Sequence, residues 1–494
     1  MGIRVAFLAS ECEPWAKPGG LADVVDALAR ALGRAGASIE SPVDVFLPRY
    51  RTVPAPAPAA IEGSTVVRVP DPRTPSGHSE ITILDVAADG YRLRLVDHPA
   101  AFDRDGFYGD AAGDFADNAW RFGLFCRAAL EALRAEGRPL DLLHLHDWHT
   151  GPAAIFRDAW YADDPIVGPA AILMTLHNLA YHGWTPRAGL GQLGLVPGDG
   201  VVAADADGID LLAAGIERAE LVNTVSPGFA AEALTPAFGM GLDGLLRSRG
   251  DQFVGILNGL DTTVWDPETD DDLAAPYSRA DPSGKPACRA DLLERVGFDP
   301  GDPGAVIGMV GRLDPQKGFD LLSDAAPVLL ERGVRLVVQG SGDHALAAAF
   351  RSLATANPDR VALIERFDRA MARRIYAGAD FFAMPSRFEP CGQGQMIAMR
   401  YGTPPIVNRT GGLADTVVDE AANPGRGTGF AFEGASVAAL LEACERAVAF
   451  RAASRPAWDA LVDRAMAVDF DWTRESAPHY VEAYRRAVSI RANR

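Results

Sequence analysis

The sequence predicts an α/β protein with two doubly wound, Rossmann-like domains that face a deep cleft. Short apolar strands alternate with amphipathic helices along most of the chain, which is the pattern of parallel sheets built from βαβ units. The length of 494 residues is too great for one domain. A polar, Pro- and Asp-rich seam near 256–285 separates two such regions. We therefore expect domains at 1–257 and 258–470, with a C-terminal helix at 471–494 that crosses back to the first domain.

Eight apolar segments are predicted as buried strands, and helical patterns lie between many of them. They are Arg4–Ala9, Leu142–His146, Ala171–Thr175, Leu221–Val225, Val306–Val310, Arg335–Val338, Phe381–Met384 and Pro405–Val407. The PAPAPAA segment at 54–60 is predicted as a loop within the first domain. Because open α/β sheets bind ligands beyond the carboxyl ends of their strands, the residues that follow these segments are the candidates for a site.

Composition excludes several classes of partner. A net charge of −19 and a pI of about 4.9 argue against nucleic acid or an anionic membrane as the main partner. No apolar run reaches membrane-spanning length, and the first apolar stretch is too short for a signal peptide. Five dispersed cysteines form neither a disulfide framework nor a CxxC pair. We expect a soluble cytoplasmic protein, and the sequence leaves its oligomeric state open.

The segment from 385 to 417 carries the strongest signal for a ligand site. Glu389, just after the strand, is set among glycines that include Gly392, Gly394 and Gly412, where a strand gives way to a helix. Bare backbone amides at a helix start favour an anionic or hydroxylated ligand. Cys391 is interpreted as a packing or backbone-contact residue, because no basic partner lies near it to activate a thiol nucleophile.

The GRLDPQKG segment at 311–318 places two cations after the first strand of the second domain. A guanidinium from Arg312 and an ammonium from Lys317 suit a diphosphate leaving group that gains charge as a bond breaks. The simpler alternative is a surface ion pair with Asp314 or Asp320, which is usual for a single exposed cation. Two cations beside glycines favour the phosphate interpretation.

A short motif occurs twice, once in each predicted domain. KPGGLAD at 17–23 includes Gly19 and Gly20, and RTGGLAD at 409–415 includes Gly412. Each copy has a basic residue, a glycine pair and a helix start, which is suited to binding an anion or sugar hydroxyls. The alternative is a turn with positive φ and a good helix start, found twice. Two copies favour the interpretation that both face a shared cleft.

Histidines in HLHDWH at 144–149 raise the possibility of a metal site. The spacing differs by one from that of metallohydrolases, and no remote cluster completes a ligand set, so hydrogen-bonded core histidines are favoured over metal ligands. Asp147, at the strand end, is a candidate to orient or deprotonate a hydroxyl. His177, at the mouth of the next strand, is a candidate substrate contact, and Asn258 lies at the predicted hinge. We expect no metal site and no cofactor.

These segments, in this order, resemble the bacterial glycogen synthase and plant starch synthase family. The matching pieces are KPGGLADVV, HLHDWHTG, TLHNLAYHG, NTVSPGFA, ILNGLDTTVWDP, GRLDPQKG, SRFEPCG and RTGGLADT, and they span almost the whole chain. The resemblance implies a GT-B fold. It also implies an ADP-glucose:α-1,4-glucan glucosyltransferase that adds α-glucose to the non-reducing 4-hydroxyl of glycogen or a maltooligosaccharide, with retention.

The resemblance also implies roles for individual residues. Glu389, Asp147 and His177 would form the catalytic centre, with Glu389 on the glucosyl hydroxyls or the oxocarbenium-like state. The residues that would contact acceptor or glucosyl groups are Asn258 and two aromatics, Tyr108 and Trp148. The implied donor-binding positions are Lys17, Gly19, Gly20, Arg312, Lys317, Cys391, Gly392, Gly394 and Gly412. ADP-glucose would be a co-substrate, and no separate cofactor is expected.

Two departures from the family pattern affect the expected mechanism. Gln393-Gly394 replaces the common Leu-Thr, which removes a hydroxyl contact to phosphate and leaves only the Gly394 amide. Ile397 stands where many related retaining transferases have a second Glu, as is usual in this branch. Because no residue is an obvious nucleophile, we favour same-face substitution over a covalent intermediate.

Three alternatives remain open at this stage. One is a GT-B transferase that uses a UDP-sugar and another acceptor. A second is an inactive glucan-binding scaffold, against which the intact cations and Glu389 argue. A third is a dehydrogenase, which is disfavoured because no GxGxxG follows the first strand.

Overall fold

The computed structural model describes residues 2–111, 113–198, 200–203 and 205–493. The chain divides into two compact units. The first contains the chain up to Val225, Ala230–Gly259 and Trp472 onward, and the second contains Ser226–Phe229 and Leu260–Asp471. These bounds differ from the expected ones mainly in the short segment 226–229, which joins the second unit although the chain on both sides belongs to the first.

The first unit is built on a nine-stranded sheet in the order β13-β12-β9-β8-β1-β2-β5-β4-β3. Two further pairs, β6 with β7 and β10 with β11, are short antiparallel hairpins. The strands are β1 Val5–Leu8, β2 Val43–Pro48, β3 Ile61–Pro70, β4 His78–Ala87, β5 Tyr91–Asp97, β6 Gly109–Asp110, β7 Gly113–Asp114, β8 Leu142–His146, β9 Ala171–Leu176, β10 Trp184–Pro186, β11 Gly208–Asp210, β12 Leu221–Thr224 and β13 Phe253–Gly255.

Burial explains why the central strands could be predicted from the sequence and the strands at the edge could not. The strands from β13 to β5 pair in parallel, and β1, β2, β8, β9 and β12 are buried at every position, which produces continuous apolar runs. β4 and β3 extend this sheet in antiparallel fashion, with exposed positions along β3. The expected parallel sheet therefore carries an antiparallel edge that the sequence did not reveal.

Among the described residues before 260, seven helices begin. They are α1 Gly20–Gly33, α2 Pro99–Phe102, α3 Asn118–Ala135, α4 Gly151–Trp160, α5 Leu211–Arg218, α6 Pro227–Ala233 and α7 Asp243–Ser248. Helix α1 starts on the second glycine of the first GGLAD motif, directly after the loop that follows β1.

The second unit is a six-stranded, fully parallel sheet in the order β16-β15-β14-β17-β18-β19. Its strands are β14 Val306–Val310, β15 Arg335–Gln339, β16 Val361–Ile364, β17 Phe381–Met384, β18 Pro405–Asn408 and β19 Phe430–Phe432. All eight strands predicted from the sequence are present in the two sheets, with ends that differ by at most one residue.

Eight helices belong to the second unit. They are α8 Lys285–Arg295, α9 Phe319–Glu331, α10 His344–Ala356, α11 Arg369–Gly378, α12 Gly394–Arg400, α13 Gly411–Thr416, α14 Val437–Ala453 and α15 Arg455–Ala467. A contiguous apolar core joins α9, α10 and α14 to the strands and includes Phe319, Phe350 and Phe381.

The last helix, α16 Ala477–Ala492, packs against β8, β9 and β12 in the first unit. Polar contacts also fix it there: the Tyr484 hydroxyl lies 2.8 Å from His144 Nδ1, and Asn223 Nδ2 donates to the Tyr480 hydroxyl at 3.3 Å. A π-helical turn at Trp472–Ser476 precedes the helix. The chain thus ends against the sheet with which it began.

Candidate active site

Glu389 lies beyond the carboxyl end of β17, and a cation holds its carboxylate. Lys317 Nζ is 2.9 Å from Oε1 and 2.7 Å from Oε2, and Ser386 Oγ donates to Oε2 at 3.1 Å. Glu389 is only 5% exposed. A protonated lysine has three N–H donors, so Lys317 can pair with this carboxylate and still offer a donor to a further anion.

The loop that carries Lys317 is braced against the loop that carries Glu389. Arg387 forms a two-pronged ion pair with Asp320, and its backbone N–H donates to Gln316 O at 2.7 Å. Gly318 has φ +77, and a Cβ there would lie 2.2 Å from the Pro385 carbonyl oxygen. Glycine is therefore required at this close approach, and the two loops are fixed relative to each other.

The second GGLAD motif packs directly on the Glu389 backbone. Gly412 N–H donates to Glu389 O at 3.1 Å. A Cβ on Gly411, whose φ is +44, would lie 2.1 Å from that same oxygen, and a Cβ on Gly412 would lie 2.2 Å from Cys391 O. The predicted donor residues Gly412 and Cys391 are thus together, and the contacts described here are made by their backbones.

The buried side-chain amide of Gln395 stabilises the turn into α12. Gln395 Nε2 donates to Cys391 O and Gly392 O, both at 3.1 Å, and to Thr416 Oγ1 at 3.2 Å. Gly392 adopts φ +74 in this turn. At Gly394, the first residue of α12, a Cβ would lie 3.1 Å from the Phe382 ring, so the site has little room for a side chain.

Ser226–Phe229 supports the same turn and was not singled out from the sequence beyond its family resemblance. Ser226 Oγ donates to Pro390 O at 2.6 Å, and Gly228 N–H donates to Asp415 Oδ2 at 2.7 Å. A Cβ on Gly228 would lie 2.6 Å from Gly411 O. The SPGF sequence is therefore suited to close backbone packing against the Glu389 segment.

Arg312 is the most exposed of the predicted site cations. Its guanidinium lies 3.2 Å from Asp314 and is 64% exposed, while Asp320 is engaged by Arg387. The alternative of a surface ion pair is thus observed for Asp314 and not for Asp320. Because an exposed pair of this kind contributes little to stability, the guanidinium can exchange it for a phosphate at small cost.

In the first unit, the loop after β1 folds around a buried acid that the sequence analysis did not select. Glu11 Oε2 accepts the Gly19 N–H at 3.0 Å, and Oε1 accepts the Tyr108 hydroxyl at 2.6 Å. Burial raises the pKa of Glu11, against the lowering effect of these donors. The Gly19 amide is therefore committed to Glu11, which corrects the expectation that it is available to a donor substrate.

Lys17 and Gly20 lie on the open side of this loop. Lys17 Nζ pairs with Asp23 at 2.7 Å and with Glu13 at 3.2 Å, and its side chain is about half exposed. A Cβ on Gly20 would meet no atom within 4 Å, so this position leaves space above the start of α1. Lys17 remains a candidate for anion binding that would have to exchange its present partners.

Tyr108 is half-buried between Glu11 and a histidine. Besides its bond to Glu11, its hydroxyl lies 2.9 Å from Ser10 Oγ, and its ring lies 4.5 Å from the His149 ring. Burial raises the pKa of Tyr108 well above its usual range, so the phenol stays protonated.

Asp147 has an unusual backbone conformation at the end of β8. Its φ is 57° and its ψ is −176°, a region that is essentially restricted to glycine and costs about 1–3 kcal/mol for other residues. Its Oδ1 accepts the His177 N–H at 2.7 Å. Burial raises the pKa of Asp147 to about 7, against the lowering effect of the His177 and Asn178 amides. In the structure Asp147 positions the His177 loop.

His144 has a structural role, as the favoured interpretation predicted. Thr175 Oγ1 donates to Asn223 Oδ1 at 2.6 Å, so its only proton is used, and His144 Nε2 must donate to Thr175 Oγ1 at 2.7 Å. His144 Nδ1 then accepts from Tyr484. Among the described residues, no group of three His, Cys, Asp or Glu side chains is arranged to hold a metal ion.

His146 and His177 lie side by side at the ends of β8 and β9. His146 Nδ1 is 3.0 Å from His177 Nε2. Burial lowers the pKa of His177 to about 3 and that of His146 well below its usual value, so both rings are neutral. His146 Nε2 has no hydrogen-bond partner among the described residues.

Trp148 and Asn258 are both buried. Trp148 is 8% exposed, stacks on His149 and lies so close to Gly183 that a Cβ there would be 2.2 Å from its ring. This packing does not fit the prediction that Trp148 is a glucan contact, since its faces are already covered by protein. Asn258 is 5% exposed, and its Oδ1 has no partner among the described residues, which fits a residue that awaits a ligand.

Two exposed aromatics follow His177 in the chain. Tyr181 is 63% exposed and Trp184 is 59% exposed. Trp184 pairs with Asp210 in the β10–β11 hairpin, and His182 Nδ1 lies 2.6 Å from the Asp210 carboxylate. Sequence alone gave no reason to select these rings over Trp148, because the pattern does not show which aromatic is left uncovered.

Each unit by itself is a Rossmann-like α/β sheet with polar residues beyond the strand ends. In the second unit, a cation and a carboxylate are held together where a strand gives way to a helix. Two such sheets with this arrangement define the GT-B class of glycosyltransferases. Comparisons with known proteins agree: the family model for the starch synthase catalytic domain matches residues 4–248, and that for glycosyl transferases group 1 matches residues 304–449.

Full-length relatives give the family. The chain is 40% identical over 495 residues to a glycogen synthase of Syntrophotalea carbinolica, covering 99% of each. It is 43% identical to a glycogen synthase of an Anaeromyxobacter species, covering 98% of this chain and 99% of the relative. Among solved structures, the catalytic domain of starch synthase IV from Arabidopsis thaliana, bound to ADP and acarbose, has a TM-score of 0.87 and 33% identity, covering 99% of this chain and 100% of that chain.

The chain therefore belongs to the glycogen and starch synthase family, as the sequence resemblance indicated. A sucrose-phosphate synthase from Thermosynechococcus elongatus shares the fold at a TM-score of 0.60 and 20% identity, with 99% of each chain covered. Among the described residues, no helix is both long enough and apolar enough to cross a membrane.

Proposed function

We propose that the protein transfers α-glucose from ADP-glucose to the non-reducing 4-hydroxyl of an α-1,4-glucan, with retention at the anomeric carbon. The observation that carries this proposal is the buried Glu389 carboxylate, which is held by Lys317 and Ser386 beside the glycine turns. The related starch synthase IV has been solved with ADP and acarbose, which are a nucleoside diphosphate and a glucan-like inhibitor.

On the donor side, Arg312 and Lys317 would bind the diphosphate. Arg312 can release its exposed pair with Asp314, and Lys317 keeps an N–H donor beyond those used by Glu389. As the bond to the anomeric carbon breaks, the leaving phosphate gains negative charge, which these cations stabilise.

At the transferred glucose, Glu389 would contact hydroxyl groups or stabilise the positive charge that develops on the ring. Its carboxylate is already oriented, so little reorganisation is needed during the reaction. We favour same-face substitution. The acceptor oxygen bonds to the anomeric carbon as the phosphate oxygen leaves, and the acceptor proton passes to that departing phosphate.

On the acceptor side, Tyr181 and Trp184 would provide apolar faces for glucan rings. Both are more than half exposed, and both lie in the segment that follows β9. Amphipathic aromatic rings suit ligands that have apolar faces and polar edges. Tyr108 and Asn258 would contribute polar contacts, and His177 would lie at the reacting sugar.

We further propose that the reaction needs no metal ion and takes place in the cytoplasm. Arg312 and Lys317 would contact the diphosphate directly, so that no bridging metal ion is needed. The five cysteines are all buried and form no disulfide, which suits a reducing compartment. Transfer that stops after treatment with EDTA and returns with Mg²⁺ would contradict the proposal that no metal ion is needed.

The donor is tested by incubating the purified protein with ADP-glucose or UDP-glucose and glycogen, and measuring nucleoside diphosphate release and glucan elongation. Elongation with a strong preference for ADP-glucose is expected. Release without elongation would show a different acceptor. No release with either donor would contradict the proposal and favour another sugar nucleotide or a scaffold.

A further inference from the structure

His146, which is buried at the end of β8, and His177, which is half-buried directly after β9, share one hydrogen bond whose direction can be deduced. Both rings are neutral, so each carries one proton on one of its two nitrogens. Only one proton can lie between His146 Nδ1 and His177 Nε2, which are 3.0 Å apart. The proton is therefore either donated by His146 or donated by His177.

The surroundings of His146 decide between these two arrangements. Its ring is fully buried, 4.2 Å from His144 and 5.3 Å from Phe7, and its Nε2 has no hydrogen-bond partner among the described residues. If His177 donated, the proton of His146 would sit on Nε2 as a buried N–H without an acceptor. If His146 donates from Nδ1, its Nε2 is only an unused acceptor. Orphaned buried N–H groups are the rarer defect in folded proteins.

We propose that His146 is a positioning residue that fixes His177 in the neutral tautomer with its proton on Nδ1. His177 then presents an N–H donor to the substrate, and its Nε2 is occupied by the His146 proton. The neighbouring Asp147 holds the backbone of the same residue through the His177 N–H at 2.7 Å. Two consecutive residues at the end of β8 thus fix both the backbone and the ring of His177.

The two histidines of the HLH segment therefore have different roles. His144 donates from Nε2 into the hydrogen bonds that hold α16, whereas His146 donates from Nδ1 toward the site. The positioning role rests on the proposed contact between His177 and the transferred glucose. The tautomer of His177 does not rest on that contact and can be measured without substrate.

The first test is a long-range ¹H–¹⁵N correlation spectrum of the full-length protein labelled with ¹⁵N-histidine, in which the two tautomers give different patterns. His177 is assigned by the signal lost in His177→Gln. We expect an Nδ1–H pattern that does not titrate between about pH 5.5 and 8. An Nε2–H pattern for His177 would overturn the proposal, whether or not the protein transfers glucose.

Variants test the positioning role. His146→Leu removes the donor, and His146→Asn restores an N–H donor close to the Nδ1 position. We expect His146→Leu to change the His177 tautomer and to lower kcat about tenfold, which is the loss of one hydrogen bond, with the KM for ADP-glucose changed by less than about threefold. His146→Asn is expected to recover the tautomer and most of the rate.

His144→Gln is the matched control, because it alters a buried imidazole on the same strand that does not bond to His177. It is expected to lower the unfolding temperature without changing the His177 pattern. If His146→Leu leaves the His177 tautomer unchanged, or changes it with no loss of kcat, the positioning role is wrong. If His146→Leu does not fold, the comparison of wild type with His146→Asn still decides the tautomer.

Discussion

The two GGLAD motifs begin helices α1 and α13, and each contacts a glutamate. The first motif contacts the side chain of its glutamate, and the second contacts the backbone. In the first unit, Gly19 N–H donates to the Glu11 side chain. In the second, Gly412 N–H donates to the Glu389 backbone carbonyl. The first motif therefore donates a hydrogen bond to the Glu11 carboxylate. The second fixes the Glu389 backbone and leaves the Glu389 carboxylate to pair with Lys317.

The same difference extends to the cations. Lys17 pairs with Asp23 and Glu13 at a half-exposed position, and Lys317 pairs with Glu389, which is almost fully buried. A lysine can thus pair with exposed acids in one unit and orient a buried acid in the other. In both motifs the glycine pair predicts that another segment packs closely on the backbone. Only the folded structure shows which segment that is.

The largest effect should come from removing the cation beside Glu389. Lys317→Ala leaves a buried carboxylate without its ion-pair partner and removes a charge from the proposed diphosphate site. We expect kcat/KM for ADP-glucose to fall on the order of a thousandfold, and the unfolding temperature to fall as well. Steady-state kinetics and thermal unfolding measure both.

Lys17→Ala is the matched lysine variant in the first unit. Because its ion pairs are exposed, unfolding should change by less than about 1 kcal/mol, and kcat/KM should fall about tenfold. Equal losses in the two variants would contradict the difference drawn between the two lysines.

Adding one methyl group to each glycine pair should separate the motifs next. In Gly411→Ala the new Cβ would lie 2.1 Å from Glu389 O at a φ of +44, so the Glu389 segment must move. Displacement of a catalytic group by about 1 Å costs on the order of a hundredfold in rate. In Gly19→Ala the Cβ would lie 3.2 Å from Glu11 Oε2, with extended backbone, and the rate should change less than about threefold.

Crystal structures of both variants would show whether the Glu389 carboxylate has moved. A Gly411→Ala protein with wild-type kcat would show that the second motif does not control the orientation of Glu389.

A smaller effect is expected at the exposed aromatics of the first unit. Replacing both Tyr181 and Trp184 with Ala should raise the KM for glycogen about tenfold and leave the KM for ADP-glucose unchanged, because only the acceptor would contact these rings. Trp160→Ala is the control, since that ring is also exposed but stacks on Phe156. A rise in the KM for ADP-glucose of similar size would contradict the assignment to the acceptor side.

The smallest effect concerns Asp147 and pH. Since its pKa is raised to about 7 in the fold, the folded protein keeps a proton that the unfolded chain releases above about pH 4. Asp147 therefore makes the protein less stable as pH rises from about 4 to 7. Asp147→Asn keeps an acceptor oxygen for the His177 amide and does not titrate.

The stability of Asp147→Asn relative to wild type should therefore increase with pH across that interval and become constant above it. Urea unfolding of both proteins at pH 5 and pH 8 measures the difference. A difference that does not change with pH would mean that the carboxyl pKa is the same in the folded and unfolded chain.

Much of the fold was readable because the central strands are buried on both faces and appear as apolar runs. The pairing of Lys317 with Glu389 was not predicted, although both residues follow neighbouring parallel strands, β14 and β17, and so lie at the same edge of the sheet. Glu11 was missed because its partners, Gly19 and Tyr108, lie 8 and 97 residues away in sequence. The burial of Trp148 was not predicted for the same reason, since residue type does not show which faces of a ring the fold covers.

Asp147 shows a further limit on sequence reasoning. Its position at a strand end predicted a functional carboxylate, but nothing in the residue pattern predicted backbone angles typical of glycine. Such strain depends on the surrounding chain, here on β9 and the His177 loop that the carboxylate holds.

The most direct test of the account compares two isosteric changes, Glu389→Gln and Glu11→Gln, in the transfer of labelled glucose from ADP-glucose to glycogen. If the second motif orients a catalytic acid and the first only satisfies a buried one, Glu389→Gln should lower kcat on the order of a thousandfold and Glu11→Gln by less than about tenfold. Wild-type turnover in Glu389→Gln, or a larger loss in Glu11→Gln, would contradict it.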